Sequence, residues 1–130
     1  MLRPLNWMAA WWCGGFAGLA IIVYLLLDPT PPVNSLQFHS DKLLHFLAFG
    51  GLTGWFAGLL ERRAWPFLAI GMLGFGLATE LIQSAMRMGR LAELGDFAAD
   101  AAGVLIALLL ARVGFEHWAL FFERWFRQKG

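Results

Sequence analysis

Four long apolar stretches, each bounded by polar or proline-rich residues, set the pattern of this chain. The first, Ala9 to Leu27, contains no charged residue. Its length is close to the ~20 residues that cross the hydrocarbon core of a bilayer as a helix. It is longer than a typical signal-peptide core, and the following Asp28-Pro-Thr-Pro-Pro offers no small-x-small cleavage site, so it reads as a retained first span. Residues 28–40 read as a loop, because Pro29, Pro31 and Pro32 stop a helix and favour extended backbone. Ser40-Asp41 then reads as an N-cap, with Asp41 in or near the first turn, where the helix dipole favours an anion. The second span runs from about Leu43 to Leu60 and is ended by Glu61-Arg62-Arg63. The third runs from Trp65 to about Ser84, with Pro66 at an early position where proline is tolerated. Residues 85–95 form a short polar loop, and the fourth span runs from Asp96 to about Val113. The expected fold is all-α: a polytopic membrane protein whose four transmembrane helices occupy residues 1–114.

The tail, residues 115–130, has a different pattern. Phe115, Trp118, Phe121, Phe122, Trp125 and Phe126 cover one side of a helix, and Glu116, His117, Glu123, Arg124, Arg127 and Gln128 cover the other. That pattern suits an amphipathic helix lying in the plane of the membrane interface; packing on a partner protein is the alternative. Removal of residues 116–130 is then expected to spare the four spans. Inside the second span, Gly50-x-x-x-Gly54-x-x-x-Gly58 forms a ridge of small residues that lets another helix approach closely, and Gly71, Gly74 and Gly76 continue the theme in the third.

Composition agrees with a membrane protein. With 59% hydrophobic and only 15% charged residues, the chain carries far less charge than a soluble domain of this size. A net charge of +1 and the lack of a Lys/Arg run argue against a nucleic-acid partner. The single Cys13 excludes an intramolecular disulfide and reads as a small buried apolar residue. Arg3, then Arg62 and Arg63, then Arg112, Arg124, Arg127 and Lys129 all fall on one side of a four-span chain. Short cytoplasmic segments are enriched in such residues, so both termini are expected to be cytoplasmic. Arg87 and Arg90 fall on the opposite side and read as site residues instead.

This orientation gathers the remaining polar residues near the outer ends of neighbouring spans. Glu80, Gln83, Ser84 and Arg87 share one arc of the third helix, at about 100° per residue. Asp96, Asp100, Gly103 and Ala107 share one face of the fourth, polar above and small below. Asp41, Lys42 and His45 open the second. Together they outline a cleft that opens outward. An ionisable group in hydrocarbon costs about 2.5–3.5 kcal/mol by insertion scales, so each of these residues needs a partner or water.

In these residues the chain resembles the VanZ-like family of small bacterial membrane proteins. The resemblance lies in the ordered set Asp41-Lys42-x-x-His45-Phe46, Glu80-x-x-Gln83, Arg87 or Arg90, and Asp96-x-x-x-Asp100-x-x-Gly103, covering roughly residues 40–110. Family members often carry Asn where Asp100 stands, which leaves the charge of that corner open. The resemblance implies a cell-envelope role in the bacterial cytoplasmic membrane. The family's namesake is linked to resistance to the glycopeptide antibiotic teicoplanin.

Two classes of function fit the cleft. In the first it binds an anionic envelope lipid or lipid-linked precursor. Arg87 and Arg90 would hold phosphate or carboxylate, and Asp41, Lys42, Gln83, Asp96 and Asp100 would complete the site. In the second it is an enzyme on such a lipid, with His45 or Glu80 as general base. His45, Glu80, Asp96 and Asp100 also form a donor set suited to a divalent cation. Ion pairs that merely fix helix register, such as Glu80 with Arg87, are the structural alternative. No P-loop, HExxH motif or nucleophile elbow occurs, and no inverted repeat suggests a transporter. A homo-oligomer is left open.

Overall fold

A computed structural model describes residues 2–27, 37–86 and 94–129, with the side chains of 37–40 and 129 left aside. The architecture is all-helical: α1 (Met8–Leu27), α2 (Gln37–Leu59), α3 (Trp65–Ala85), α4 (Leu94–Arg112) and α5 (Trp118–Lys129). Short 3₁₀ turns at Arg62–Ala64 and Phe115–His117 lead into α3 and α5. Among the described residues, three segments are long and apolar enough to cross a membrane: α1, Arg62–Ala85 with α3, and α4. The first two turns of α2 carry Gln37, His39, Asp41 and Lys42, with His45 just beyond, and these dilute its apolar character.

The helix α2 begins earlier than the sequence suggests. Ser40 and Asp41 lie inside it rather than capping it. Side-chain pairs to α4 reward continuing the helix through these polar residues: Lys42 Nζ lies 2.8 Å from Asp96 Oδ1, and His45 Nδ1 lies 2.9 Å from Asp100 Oδ1. These pairs, 54 and 55 residues apart, also fix the central packing of the fold. Helices α2 and α4 run parallel and in register, and their contact is the most extensive among the described residues.

Glycine makes that register attainable. A Cβ on Gly103 would collide with the Phe46 carbonyl oxygen and lie 2.9 Å from the Gly50 nitrogen. The two backbones therefore touch, as close-packed membrane helices with small residues do. The other end of the ridge has a different occupant. Trp118 Nε1 donates to the Gly54 carbonyl at 3.2 Å, and its indole lies so close over Gly58 that no side chain fits there. Trp118 packs against Trp55 and Trp11, with ring centroids 4.9 and 5.3 Å away.

The tail is thereby tied into the bundle, and two residues expected on its solvent side are buried. Glu116 is 4% exposed and Glu123 3%. Glu116 accepts from Arg3 Nη2 at 2.7 Å and from Arg62 Nη2 at 2.7 Å, while Arg62 also donates to the Arg112 carbonyl. Glu123 accepts from the Asn6 backbone and side-chain nitrogens, the Trp7 backbone nitrogen and the Trp11 indole, all at 2.8–3.0 Å. Glu116 and Glu123 thus meet donors instead of water, while Arg124, Arg127 and Gln128 on the same face remain exposed. Removing the tail would leave these donors without their acceptors. Cys13, expected to be buried, is exposed on the side of α1 turned away from the bundle.

The Glu123 cage gives a pH dependence with a definite sign. Burial alone would raise its pKa, but the four N–H donors outweigh burial and hold the carboxyl at about 2 instead of its ordinary 4.5. A carboxyl with a depressed folded pKa contributes stability fully above its unfolded value and loses that contribution as pH falls toward the folded one. In detergent, thermal stability of the wild type should therefore fall more steeply than that of Glu123→Gln between pH 4.5 and 2. Parallel curves for the two proteins across that window would contradict the caged carboxylate.

Candidate functional site

The polar residues meet where α2 and α4 begin and α3 ends. From α2 come Asp41, half-buried, Lys42, and one turn deeper His45, which is fully buried. From α4 come Asp96 in the first turn, 6% exposed, and Asp100 one turn below it, 0% exposed. From α3 comes Glu80, 4% exposed. The i, i+4 spacing in α2 and α4 stacks each pair of residues on one face. The parallel register then sets Lys42 beside Asp96 and His45 beside Asp100.

The centre of the cluster is the His45–Asp100 pair. Its hydrogen bond is 2.9 Å long and neither side chain reaches solvent. When Asp100 is ionised, this pairing places the ring proton on Nδ1. His45 Nε2 and Asp100 Oδ2 then remain without a partner among the described residues. Glu80 Oε1 lies 3.9 Å from His45 Nδ1, near enough to stabilise an imidazolium but too far for a hydrogen bond. The Phe49 ring lies parallel to the imidazole, with centroids 6.5 Å apart, and seals the cluster from below. A Cβ at Gly76 would lie 2.8 Å from Asp100 Oδ2, so a glycine in α3 makes the room in which Asp100 sits. At the rim, the Lys42 side chain is 28% exposed and so marks the opening of the cluster.

Donor atoms that could hold a metal fall into two overlapping sets, each within 4.8 Å: His45 with Glu80 and Asp100, and His45 with Asp41 and Asp96. The four residues expected to form one cation site are thus divided by depth, with Asp41 joining the shallower set.

The structure brings together His45, Glu80, Asp96, Asp100, Lys42 and Asp41. Gln83 instead serves the neighbouring helix, where its Nε2 donates to the Leu26 carbonyl at 2.6 Å and satisfies one of the last carbonyls of α1. Arg87 and Arg90 lie outside the described residues. The sequence reading missed Thr79, which is buried in α3 beside Glu80 and back-bonds to the Gly76 carbonyl at 2.8 Å. It also missed Thr53, fully buried two turns below His45. Only their place in an apolar helix could have signalled them, because threonine is common on either face of such helices. Comparison with known proteins finds no matching family model, no matching curated protein and no matching solved structure.

Proposed function

We propose that this chain is a VanZ-like protein of the bacterial cell envelope that acts on the polar head of an envelope lipid or lipid-linked precursor. In this reading α1, α2, α3 and α4 all span the cytoplasmic membrane, both termini are cytoplasmic, and the polar cluster faces outward. The exposed Phe121, Phe122, Trp125 and Phe126 of α5 rest at the inner surface. One observation carries the functional reading: the fully buried His45–Asp100 hydrogen bond, with Glu80 and Asp96 buried beside it, between apolar helices. A carboxylate on Nδ1 orients the imidazole and stabilises its charged form, which leaves Nε2 to take a proton from a hydroxyl or water on the lipid head. Glu80 adds negative charge beside the imidazolium so formed. Arg87 and Arg90, which follow α3 in sequence, are the cations assigned to the head-group phosphate.

A simple binding role is the second reading. It is favoured by Lys42, a cation anchored by Asp96 at the partly exposed rim. The two readings separate in proteoliposomes made with envelope lipid extract and followed by mass spectrometry. If the centre is catalytic, a head group changes with time, and His45→Gln slows that change about 100-fold while the yield of folded protein is kept. If lipid copurifies unchanged, the chain binds and does not react. Loss of activity only in step with loss of folded protein would make the pair a register device. Teicoplanin susceptibility of a host expressing the wild type or His45→Gln tests the link that the resemblance suggests.

A further inference from the structure

The arginine-rich end of the bundle holds a second feature, which the polar cluster at the other end does not use. A groove of about 540 Å³ runs between the start of α3 and the end of α4. That volume lies within the ~300–1,000 Å³ typical of ligand sites. Its floor is hydrocarbon, chiefly Leu105, Leu108 and Leu109, and its rim is Arg62, Arg63 and Arg112. Trp65 also lines it. That side chain is 8% exposed, and its Nε1 has no acceptor among the described residues.

Three independent details favour an anion at the rim. The first is charge: around the groove Arg3, Arg62, Arg63 and Arg112 stand against two carboxylates, Glu116 and Glu61, which engage the first three. An excess of positive charge remains, centred on Arg112. The second is the start of α3: the Trp65 backbone N–H is taken by the Arg62 carbonyl and Pro66 has none, so this end favours an anion through the helix dipole rather than through free N–H groups. The third is the buried indole N–H of Trp65. Arg62 adds rigidity, since Glu116 holds it with its guanidinium carbon 5.8 Å from the Trp65 ring centroid.

The floor decides the kind of anion. Leu105 and Leu109 are 59% and 50% exposed on α4, a helix apolar enough to cross a membrane. An occupant with both an anionic head and hydrocarbon chains matches both halves of the groove. We infer that this groove binds an anionic phospholipid of the bilayer, with the phosphate among Arg63, Arg112 and the Trp65 indole and an acyl chain along Leu105, Leu108 and Leu109. The site is independent of the His45 centre and of whatever chemistry occurs there.

Native mass spectrometry of the delipidated full-length protein tests this with three probes: phosphatidylglycerol, phosphatidylcholine and glycerol 3-phosphate. Phosphatidylglycerol should be retained about tenfold better than phosphatidylcholine, and added salt should weaken that preference. Glycerol 3-phosphate, which has the head but no chains, should not bind. The double variant Arg63→Ala/Arg112→Ala alters only exposed side chains and should remove the preference at unchanged thermal stability. Trp65→Phe keeps the ring, loses the N–H and should reduce the preference in part. Equal retention of the two lipids, or a preference that survives in the double variant, would overturn the proposal. Full competition by glycerol 3-phosphate would also overturn it, because the groove would then hold a soluble anion.

Discussion

Truncation after Gly114 should cost the protein its folded state, with little or no monodisperse protein recovered from the membrane fraction. The tail looks peripheral by composition, yet its removal exposes several unmet needs together. Without Glu123, the Asn6 and Trp7 backbone nitrogens, the Asn6 amide and the Trp11 indole lose their common acceptor. Asn6 and Trp7 are exposed, so water replaces much of that loss; the half-buried Trp11 indole is the donor nearest the ~1–3 kcal/mol cost of an unmet buried group. Without Glu116, the guanidinium groups of Arg3 and Arg62 face each other with no carboxylate between them. Arg62 is well exposed, so solvent screens much of that loss, but the Arg3 side chain is only 11% exposed. Without Trp118, Gly54 and Gly58 border a void and the Trp11–Trp55 contact loses its third ring. Trp118 is half-buried, so losing its side chain costs somewhat less than the ~3–5 kcal/mol of a fully buried Trp. These losses together match the ~5–15 kcal/mol by which proteins are commonly stable. Truncation after Phe126 keeps Glu116, Trp118 and Glu123 and should be tolerated. Size-exclusion profiles and thermal unfolding of the two truncations in detergent decide the matter. A monodisperse 1–114 protein with unchanged Tm would return the tail to a surface role.

The helices α1, α3 and α4 were legible in the sequence because the length and apolar content needed to cross a membrane are one-dimensional requirements, and these three meet them. The polar cluster was legible for a related reason. Asp41 with His45, and Asp96 with Asp100, each sit four apart at the start of an apolar run, so their faces could be assigned without knowing their partners. Which face met which was not legible. The parallel register of α2 and α4 depends on the Gly50–Gly103 contact, and that links residues more than fifty positions apart. The burial of Glu116 and Glu123 in the tail was not legible for another physical reason. Amphipathicity says that one face of a helix is polar, but it does not say whether that face meets water or backbone N–H groups. The cage around Glu123 is made by the N-terminal segment, and nothing local to residues 115–130 announces it. The bond from Gln83 to the Leu26 carbonyl was illegible in the same way, because an amide on a polar stripe caps a neighbouring helix as readily as it binds a ligand.

The α2–α4 contact predicts a graded response to one methyl group placed at three glycines. At Gly54 a Cβ meets nothing within 4 Å. Alanine there should be neutral or slightly stabilising, since it favours helix over glycine by about 0.8–1.0 kcal/mol. At Gly50 the nearest atom is the Gly103 carbonyl oxygen at 3.3 Å. A shift of a few tenths of an ångström accommodates it, so the loss should be modest. At Gly103 the added carbon runs into the Phe46 carbonyl and the Gly50 nitrogen, both backbone, and neither can rotate away. The helices must separate, and the loss should exceed the ~1–3 kcal/mol usual for overpacking. Separation also breaks the site one turn above, because the 2.9 Å His45–Asp100 bond joins the same two helices. Gly103→Ala should therefore lower thermal stability and abolish any activity of the His45 centre together, whereas His45→Gln, whose amide still offers a donor to Asp100, should reduce activity at a smaller cost in stability. If Gly103→Ala unfolds at the same temperature as Gly54→Ala, the two backbones do not touch in the membrane, and the register that builds the site is wrong.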